Sequence, residues 1–375
     1  MTEKLGNYTR SYFDPALGKP PRVWFLCGHK LGDNRQLLAL AEALGWPYSA
    51  KRFFYRPYEL LVGRWKATLL GIDRRRSDPL TPPWPDLILT AGRRNEPVAL
   101  WIREQAAKIG HLVRIVHIGR PWAKLSHFDL IVTTPQYCLP PWPNVRYNTF
   151  PLHDLTQTKL EQAAQAWRER IHVPAPWLAL LVGGSSGPYV FDRRAAIILA
   201  RQASALAQKR SASLLVTTSA RTAPEAAKAL VSALEVPAEV HLWQPDKDNP
   251  YLGYLALAEE IIVTGDSMSM LAEACFTGKP VHIFPFGAGR WAMRPEAPLA
   301  SQVPFWHRDR LRALRSALAL TLAPRRLKRD VRCILWATIE SGRAVWLGEE
   351  FRKPAPAPTD ELAQTVTCVK ALLGS

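Results

Sequence analysis

Short apolar runs, separated by stretches of helical period, set the pattern of this chain. Residues 23–27 are continuously apolar and stop at Gly28, the mark of a strand buried on both faces. Leu37, Leu38, Ala41 and Leu44 then recur at helical spacing, predicting a helix over residues 34–44 that Gly45 ends. Residues 51–80 are basic and aromatic and follow neither period. A strand is predicted at 86–90, followed by a Gly-Arg-Arg turn, a helix over 97–108, and strands at 113–118 and 129–133. Alternation of this kind predicts a parallel, doubly wound sheet.

The proline-rich stretch 135–151 interrupts the rhythm, and a short helix near 158–170 leads to Val173-Pro174-Ala175-Pro176, which reads as a connection. Strands are then predicted at 178–182, 214–218, 240–243, 261–264 and 281–284. Asp192 is placed to cap a long helix ending at Lys209, Pro224 to open the next, and Gly278 to close a helix over 268–276. The expectation is therefore an α/β chain of two Rossmann-like doubly wound domains facing across a cleft. The first spans 1–152, a linker 153–176, the second 177–304, and a basic helical tail 305–375. The last helix of the tail, 359–373, can pack back on the first domain or the second.

Composition agrees with a globular protein of this size. At 375 residues, 47% hydrophobic and 22% charged, the chain suits two cores rather than disorder. No apolar run approaches the roughly 20 residues that span a bilayer, and the first residues carry no secretory pattern, so a cytoplasmic location is expected. Five scattered cysteines without a C-x-x-C pair read as reduced, buried thiols.

The formal net charge of +17 changes the picture more, because it favours an anionic partner. Nucleic acid is not expected: no helix-turn-helix, RNA-binding or zinc pattern occurs, and the arginines are spread over many segments. A nucleotide-bearing ligand and an anionic membrane surface remain. Arg64-Trp65-Lys66, Arg290-Trp291 and Trp306-His307-Arg308 suit a headgroup-level surface, although core packing would also account for most tryptophans.

Four strand-to-helix turns carry candidate chemistry, since such sheets bind ligands at the carboxyl ends of their strands. In the first, Gly28, Gly32, Asp33 and Asn34 precede helical amides; His29 and Asp33 are candidates for a general base, and Asp33 or Asn34 can equally be a plain cap. In the second, Gly92, Arg93 and Arg94 place two cations at a helix start, where an anion would compensate them. The third, Gly183-Gly184-Ser185-Ser186-Gly187, can form a phosphate nest but fits neither the Walker A loop nor the dinucleotide fingerprint. The fourth is the sharpest. Asp266, Ser267 and Ser269 lead into a helix whose positive end suits a diphosphate, and Glu273 lies about one and a half turns on, near a ribose diol. Ser269 to Glu273 is one residue too long for a capping box. Thr218, Ser219 and Arg221 end a strand that can close on the same phosphates. Asp246-Lys247-Asp248 reads as a turn, and no metal site is expected.

The stretch Glu273-x4-Gly278-x-Pro280 resembles the nucleotide-sugar motif of GT-B glycosyltransferases. More broadly, the chain resembles the mitochondrial-fission Elm1-like family, which also occurs in bacteria. The resemblance rests on Gly32-Asp33-Asn34-Arg35-Gln36, Ala91-Gly92-Arg93-Arg94, Gly119-Arg120-Pro121-Trp122, Val132-Thr133-Thr134-Pro135-Gln136-Tyr137, Val182-Gly183-Gly184, Leu215-Val216-Thr217-Thr218-Ser219, Asp248-Asn249-Pro250-Tyr251 and Thr264-Gly265-Asp266-Ser267-Met268-Ser269-Met270. It implies a GT-B-like fold with the acceptor side in the first domain and the nucleotide-sugar side in the second. A metal-independent transfer of sugar from a nucleotide-diphosphate donor to an envelope or lipid-linked acceptor is then expected, peripheral to the inner membrane face and without a resident cofactor. The donor would be held through Gly183, Gly184, Ser185, Thr218, Ser219, Arg221, Asp266, Ser267 and Ser269, with Glu273 on the ribose and Asp33 or His29 taking the acceptor proton. Two alternatives stand beside it: a non-catalytic membrane-surface scaffold, binding lipid through the basic run at 325–329, and a sugar-nucleotide epimerase.

Overall fold

Residues 9–10, 20–58, 66–245, 248–287, 292–295, 308–324, 327–353, 356 and 359–374 are described in a computed structural model. Arg64, Trp65, Asp246, Lys247, Arg290, Trp291, Trp306, His307, Arg325 and Arg326, named above, lie outside the described residues. The chain falls into two units. One comprises Met1–Asp154, Pro324–Leu327 and Asp360–Ser375, the other Leu155–Ala323 and Lys328–Thr359.

The sheet of the first unit contains β1 (Thr9–Arg10), β2 (Val23–Cys27), β3 (Tyr48–Arg52), β4 (Leu87–Ala91), β5 (Arg114–Ile118), β6 (Leu130–Thr133) and β7 (Val145–Tyr147). Their order is β1-β3-β2-β4-β5-β6-β7, parallel throughout except for β1. Side chains alternate across the pleat, so β2 feeds two cores. Val23, Phe25 and Cys27 pack with Leu37, Leu40, Ala41 and Leu44 of α1 (Leu31–Leu44). Trp24 and Leu26 pack on the other face with Val98, Ala99 and Ile102 of α2 (Glu96–Ala107). Helices on both faces explain why β2 reads as an unbroken apolar run and β4 as one broken only by buried Thr90. The polar strand β3 shows no such run, because only Tyr48 within it is buried; it lies in register with β2 from Val23↔Tyr48 to Cys27↔Arg52.

One boundary differs from the sequence reading in a way that matters. α1 begins at Leu31, three residues earlier than expected, with Lys30 in the capping position. Asp33 and Asn34 therefore lie inside its first turns, and neither is a cap.

The second unit repeats the plan with β8 (Trp177–Val182), β9 (Ser213–Thr218), β10 (Ala238–His241), β11 (Glu260–Thr264), β12 (Val281–Phe284) and β13 (Val345–Trp346). All pairs are parallel, in the order β10-β9-β8-β11-β12-β13. Its helices are α3 (Gln157–Arg168), α4 (Arg193–Lys209), α5 (Pro224–Ser232), α6 (Tyr251–Leu257), α7 (Met268–Phe276), α8 (Arg308–Leu322) and α9 (Arg332–Glu340). Asp192 caps α4 by accepting from the Ala195 amide at 3.0 Å, Pro224 opens α5, and Gly278 follows α7 at a φ of 72°, which favours glycine. The strand expected at 240–243 lies two residues earlier.

The last helix, α10 (Glu361–Ala371), belongs to the first unit. Val369 is fully buried against the core shared by β2 and α1. Glu361 accepts from the amides of Thr149 and Phe150, and Asn148 donates to Thr365 Oγ1 at 3.1 Å. No helix among the described residues is long and apolar enough to cross a membrane.

Each sheet reverses its winding once: between β2 and β4 in the first unit, and between β8 and β11 in the second. At such a reversal the connections diverge to opposite faces and leave a crevice beyond the strand ends, so ligands are expected there.

Candidate functional site

In the second unit the reversal brings three strand ends together. Gly183 follows β8, Ser219 and Arg221 follow β9, and Asp266 follows β11. Asp266 is the hub. Its side chain is fully buried, accepts from the Gly184 amide at 3.0 Å and pairs with the Arg221 guanidinium at 2.7 Å. Burial pushes its carboxyl above the ordinary aspartate value, against the opposing pull of Arg221, the Gly184 amide and Thr264. The Gly183 amide is also engaged, donating to Thr264 Oγ1 at 2.7 Å. These two amides are thus spent inside the protein and do not offer the free donors that a phosphate nest needs.

The glycines have another role. A Cβ on Gly183 would fall 2.4 Å from the Asp266 carboxylate, and one on Gly184 only 2.1 Å from the Arg221 carbonyl oxygen. Ser219 and Thr222 add hydroxyl donors to the Gly183 carbonyl. The loop is therefore a bracket that fixes Arg221, whose side chain remains 40% exposed. One guanidinium edge meets Asp266 and the rest of the fork can receive a second anion.

α7 begins two residues beyond Asp266. Ser267 occupies the capping position with no side-chain bond to the helix. The amides of Met268, Ser269 and Met270 donate to no described residue, and the Ser269 side chain is exposed. An uncapped first turn carries partial positive charge and unpaired N–H groups, the features that bind phosphate. Further along α7, half-buried Glu273 accepts from the Tyr251 hydroxyl at the start of α6. The structure thus links Gly183, Gly184, Ser219, Arg221 and Asp266 in one bonded cluster, with Ser267, Ser269 and Glu273 along the adjacent helix. Two candidates turn elsewhere. The Thr218 hydroxyl accepts from the Trp243 amide at 2.8 Å, and Ser185 Oγ accepts from the Phe191 amide and donates to Asp309.

The first unit has its own cluster at the β2–β4 reversal. Asn34 clamps Gly28, accepting from its amide at 2.7 Å and donating to its carbonyl at 3.0 Å. Buried Asn95 donates to the Leu26 carbonyl at 3.0 Å and accepts from the Tyr55 hydroxyl. Gly92 has a φ of 75°, and a Cβ there would lie 3.7 Å from Asp33 Oδ2. His29 stands at the surface beside them. Partial burial, then Arg94 and Lys30, hold its pKa below the usual histidine value, with Asp33 pulling the other way. Gly32 lies within α1 and has no neighbour in the way of a side chain.

Arg93 stacks over Trp122 at 4.9 Å and Arg94 over Tyr55 at 5.3 Å. Glu96, buried in the first turn of α2, accepts from the Trp122 and Ala123 amides at 2.9 and 2.7 Å. The helix start thus already holds a carboxylate, which sequence reasoning overlooked when it asked for an external anion. Tyr55, Asn95, Tyr251, Thr222 and Thr264 were also missed. Tyr251 and Thr264 stood within the family blocks, and Asn95 next to Arg94; Tyr55 and Thr222 gave no signal.

Comparison with known proteins places the chain in a family. The mitochondrial fission protein ELM1 of Arabidopsis thaliana is 26% identical over 232 residues, covering 55% of this chain and 53% of that protein, about half its length. The protein RP120 of Rickettsia prowazekii is 25% identical over 299 residues, 70% of this chain and 82% of that protein. A solved structure of UDP-GlcNAc 2-epimerase from Neisseria meningitidis, bound to UDP-GlcNAc, aligns with 94% of this chain and all of that one at 14% identity, a loose likeness with a TM-score of 0.46. The family model described as mitochondrial fission ELM1 matches residues 31–296, well over half of the sequence, and the chain belongs to that family.

Proposed function

We propose that the second unit binds a nucleoside-diphosphate sugar and that the protein transfers the sugar to an envelope or lipid-linked acceptor at the cytoplasmic membrane face. The observation that carries this reading is the juxtaposition of Arg221, held by buried Asp266, with the uncapped start of α7 and with Glu273 farther along the same helix. The diphosphate would lie on the α7 amides, Ser269 and Arg221, and the Glu273 carboxylate would accept from the ribose diol.

In the reaction, the bond from the sugar's anomeric carbon to the diphosphate oxygen breaks and the nucleoside diphosphate leaves with the electron pair. An acceptor oxygen bonds to that carbon, and its proton passes to His29 or Asp33. His29 fits the task because partial burial and then Arg94 lower its pKa, which favours the neutral imidazole that accepts a proton. The helix start and Arg221 would stabilise the charge that develops on the leaving group.

The family's name favours a second reading, a non-catalytic protein that recruits partners at a membrane surface. A thermal-shift screen of nucleoside diphosphates and their sugars, followed by an assay for nucleoside diphosphate release, separates the two. A ligand that binds only the folded chain raises its melting temperature by mass action. Stabilisation with release supports transfer; no stabilisation by any member leaves only the recruitment reading.

A further inference from the structure

α8 presents two unlike faces. Ala313 and Leu320 are buried, and near the helix start Asp309 accepts from Ser185 Oγ at 3.3 Å. On the opposite side Leu311, Leu314, Leu318 and Leu322 are 43%, 43%, 59% and 72% exposed. With 3.6 residues per turn, these four leucines fall within an arc of about 80° on the side away from Ala313 and Leu320. No other described helix exposes more than one large apolar side chain. A contiguous outward stripe of this kind marks a surface that is covered in function.

The flanks of the stripe say by what. Arg312 and Arg315 border it, both exposed, and neither has an ion pair among the described residues. Lys328 lies just past the helix, its ammonium 3.4 Å from the Thr321 carbonyl. From Arg308 to Leu322 the sequence carries four arginines against one aspartate, within a chain of net charge +17. A second copy would bring the same positive charge face to face with this one, which opposes self-pairing.

We infer that α8 lies on an anionic lipid bilayer, its leucines entering the acyl boundary and Arg312 and Arg315 reaching the headgroup phosphates. Leucines on one face with long cationic side chains at its edge give a helix both terms of interfacial binding, apolar burial and attraction to anionic lipid. This docking stands on α8 alone and holds whether or not the second unit transfers sugar.

The test is co-sedimentation of the full chain with vesicles of phosphatidylcholine alone and of phosphatidylcholine mixed with phosphatidylglycerol. The wild type is expected to pellet with the anionic vesicles and to stay in solution with the neutral ones. The double variant Leu314→Gln/Leu318→Gln should bind at least about tenfold more weakly, from the apolar area it no longer buries. Arg312→Gln/Arg315→Gln should lose about tenfold of the preference for anionic lipid. All four side chains are exposed, so both variants should fold and keep the wild-type affinity for nucleotide. Three results would overturn the inference: no wild-type binding to either vesicle, undiminished binding by the leucine variant, or a wild-type dimer that the leucine variant converts to monomer without any vesicle binding.

Discussion

At the scale of single residues, the site of the second unit is set by Gly184 and Asp266. A glycine-rich loop after a strand is legible in the sequence, but its purpose is not, because backbone amides can face a ligand or the protein. Here they face the protein, and the absence of a Cβ is what lets the loop touch Arg221. Gly184→Ala should therefore cost about 1–3 kcal/mol of stability, as overpacking against fixed backbone does. Urea denaturation measures this, and an unchanged midpoint would mean that Arg221 is not held as described. Asp266 supplies a pH signature. Its pKa is raised in the folded state, so its stabilising contribution is full below the ordinary aspartate value of 3.8 and is lost as pH rises through the folded value. The stability of the wild type relative to Asp266→Asn should accordingly fall from acid pH toward neutrality. A flat or rising difference would contradict burial as the dominant cause.

At the scale of elements, the strands that build the two cores were readable because their residues are mostly apolar, as strands covered on both faces are: β2 and β8 are continuous apolar runs, and β4 and β11 each hold three adjacent apolar residues. β3, β7 and β13 were not: β3 is largely polar and only partly buried, β7 has three residues with none buried, and β13 has two. Helix starts were readable where a side chain caps them, as at Asp192. The start of α1 was not, because Lys30 makes no side-chain cap there and the polar Gly32, Asp33 and Asn34 disguise its first turn. α10 shows a further limit, since periodicity reveals that a helix has an apolar face and not which element covers it. With Val369 sealed against α1 and β2, Val369→Ala should cost about 1–3 kcal/mol, the range for deleting buried methyl groups. Hydrogen exchange in α1 would show the loss as faster opening; unchanged protection there would mean that α10 contributes little to that core.

At the scale of the whole molecule, a doubly wound sheet in each unit places a strand-end cluster at each reversal of winding, and the sequence had marked both through their glycines and charges. Under the two proposals, the excess of positive charge would serve two distinct ends: one local, Arg221 beside the start of α7, the other spread along α8 beside its leucines. These two make separate demands, so loss of lipid binding should leave nucleotide binding intact, and the reverse. In the proposed function the second unit holds a nucleoside diphosphate between Arg221 and α7, with Glu273 on the ribose. Calorimetric titration of a nucleoside-diphosphate sugar into the wild type and into Glu273→Ala tests it most directly. The wild type should bind saturably, and affinity should be about 10- to 100-fold weaker in the variant, the worth of hydrogen bonds to a charged group. Equal affinity in the two proteins, or no binding by the wild type to any nucleoside diphosphate, would contradict it.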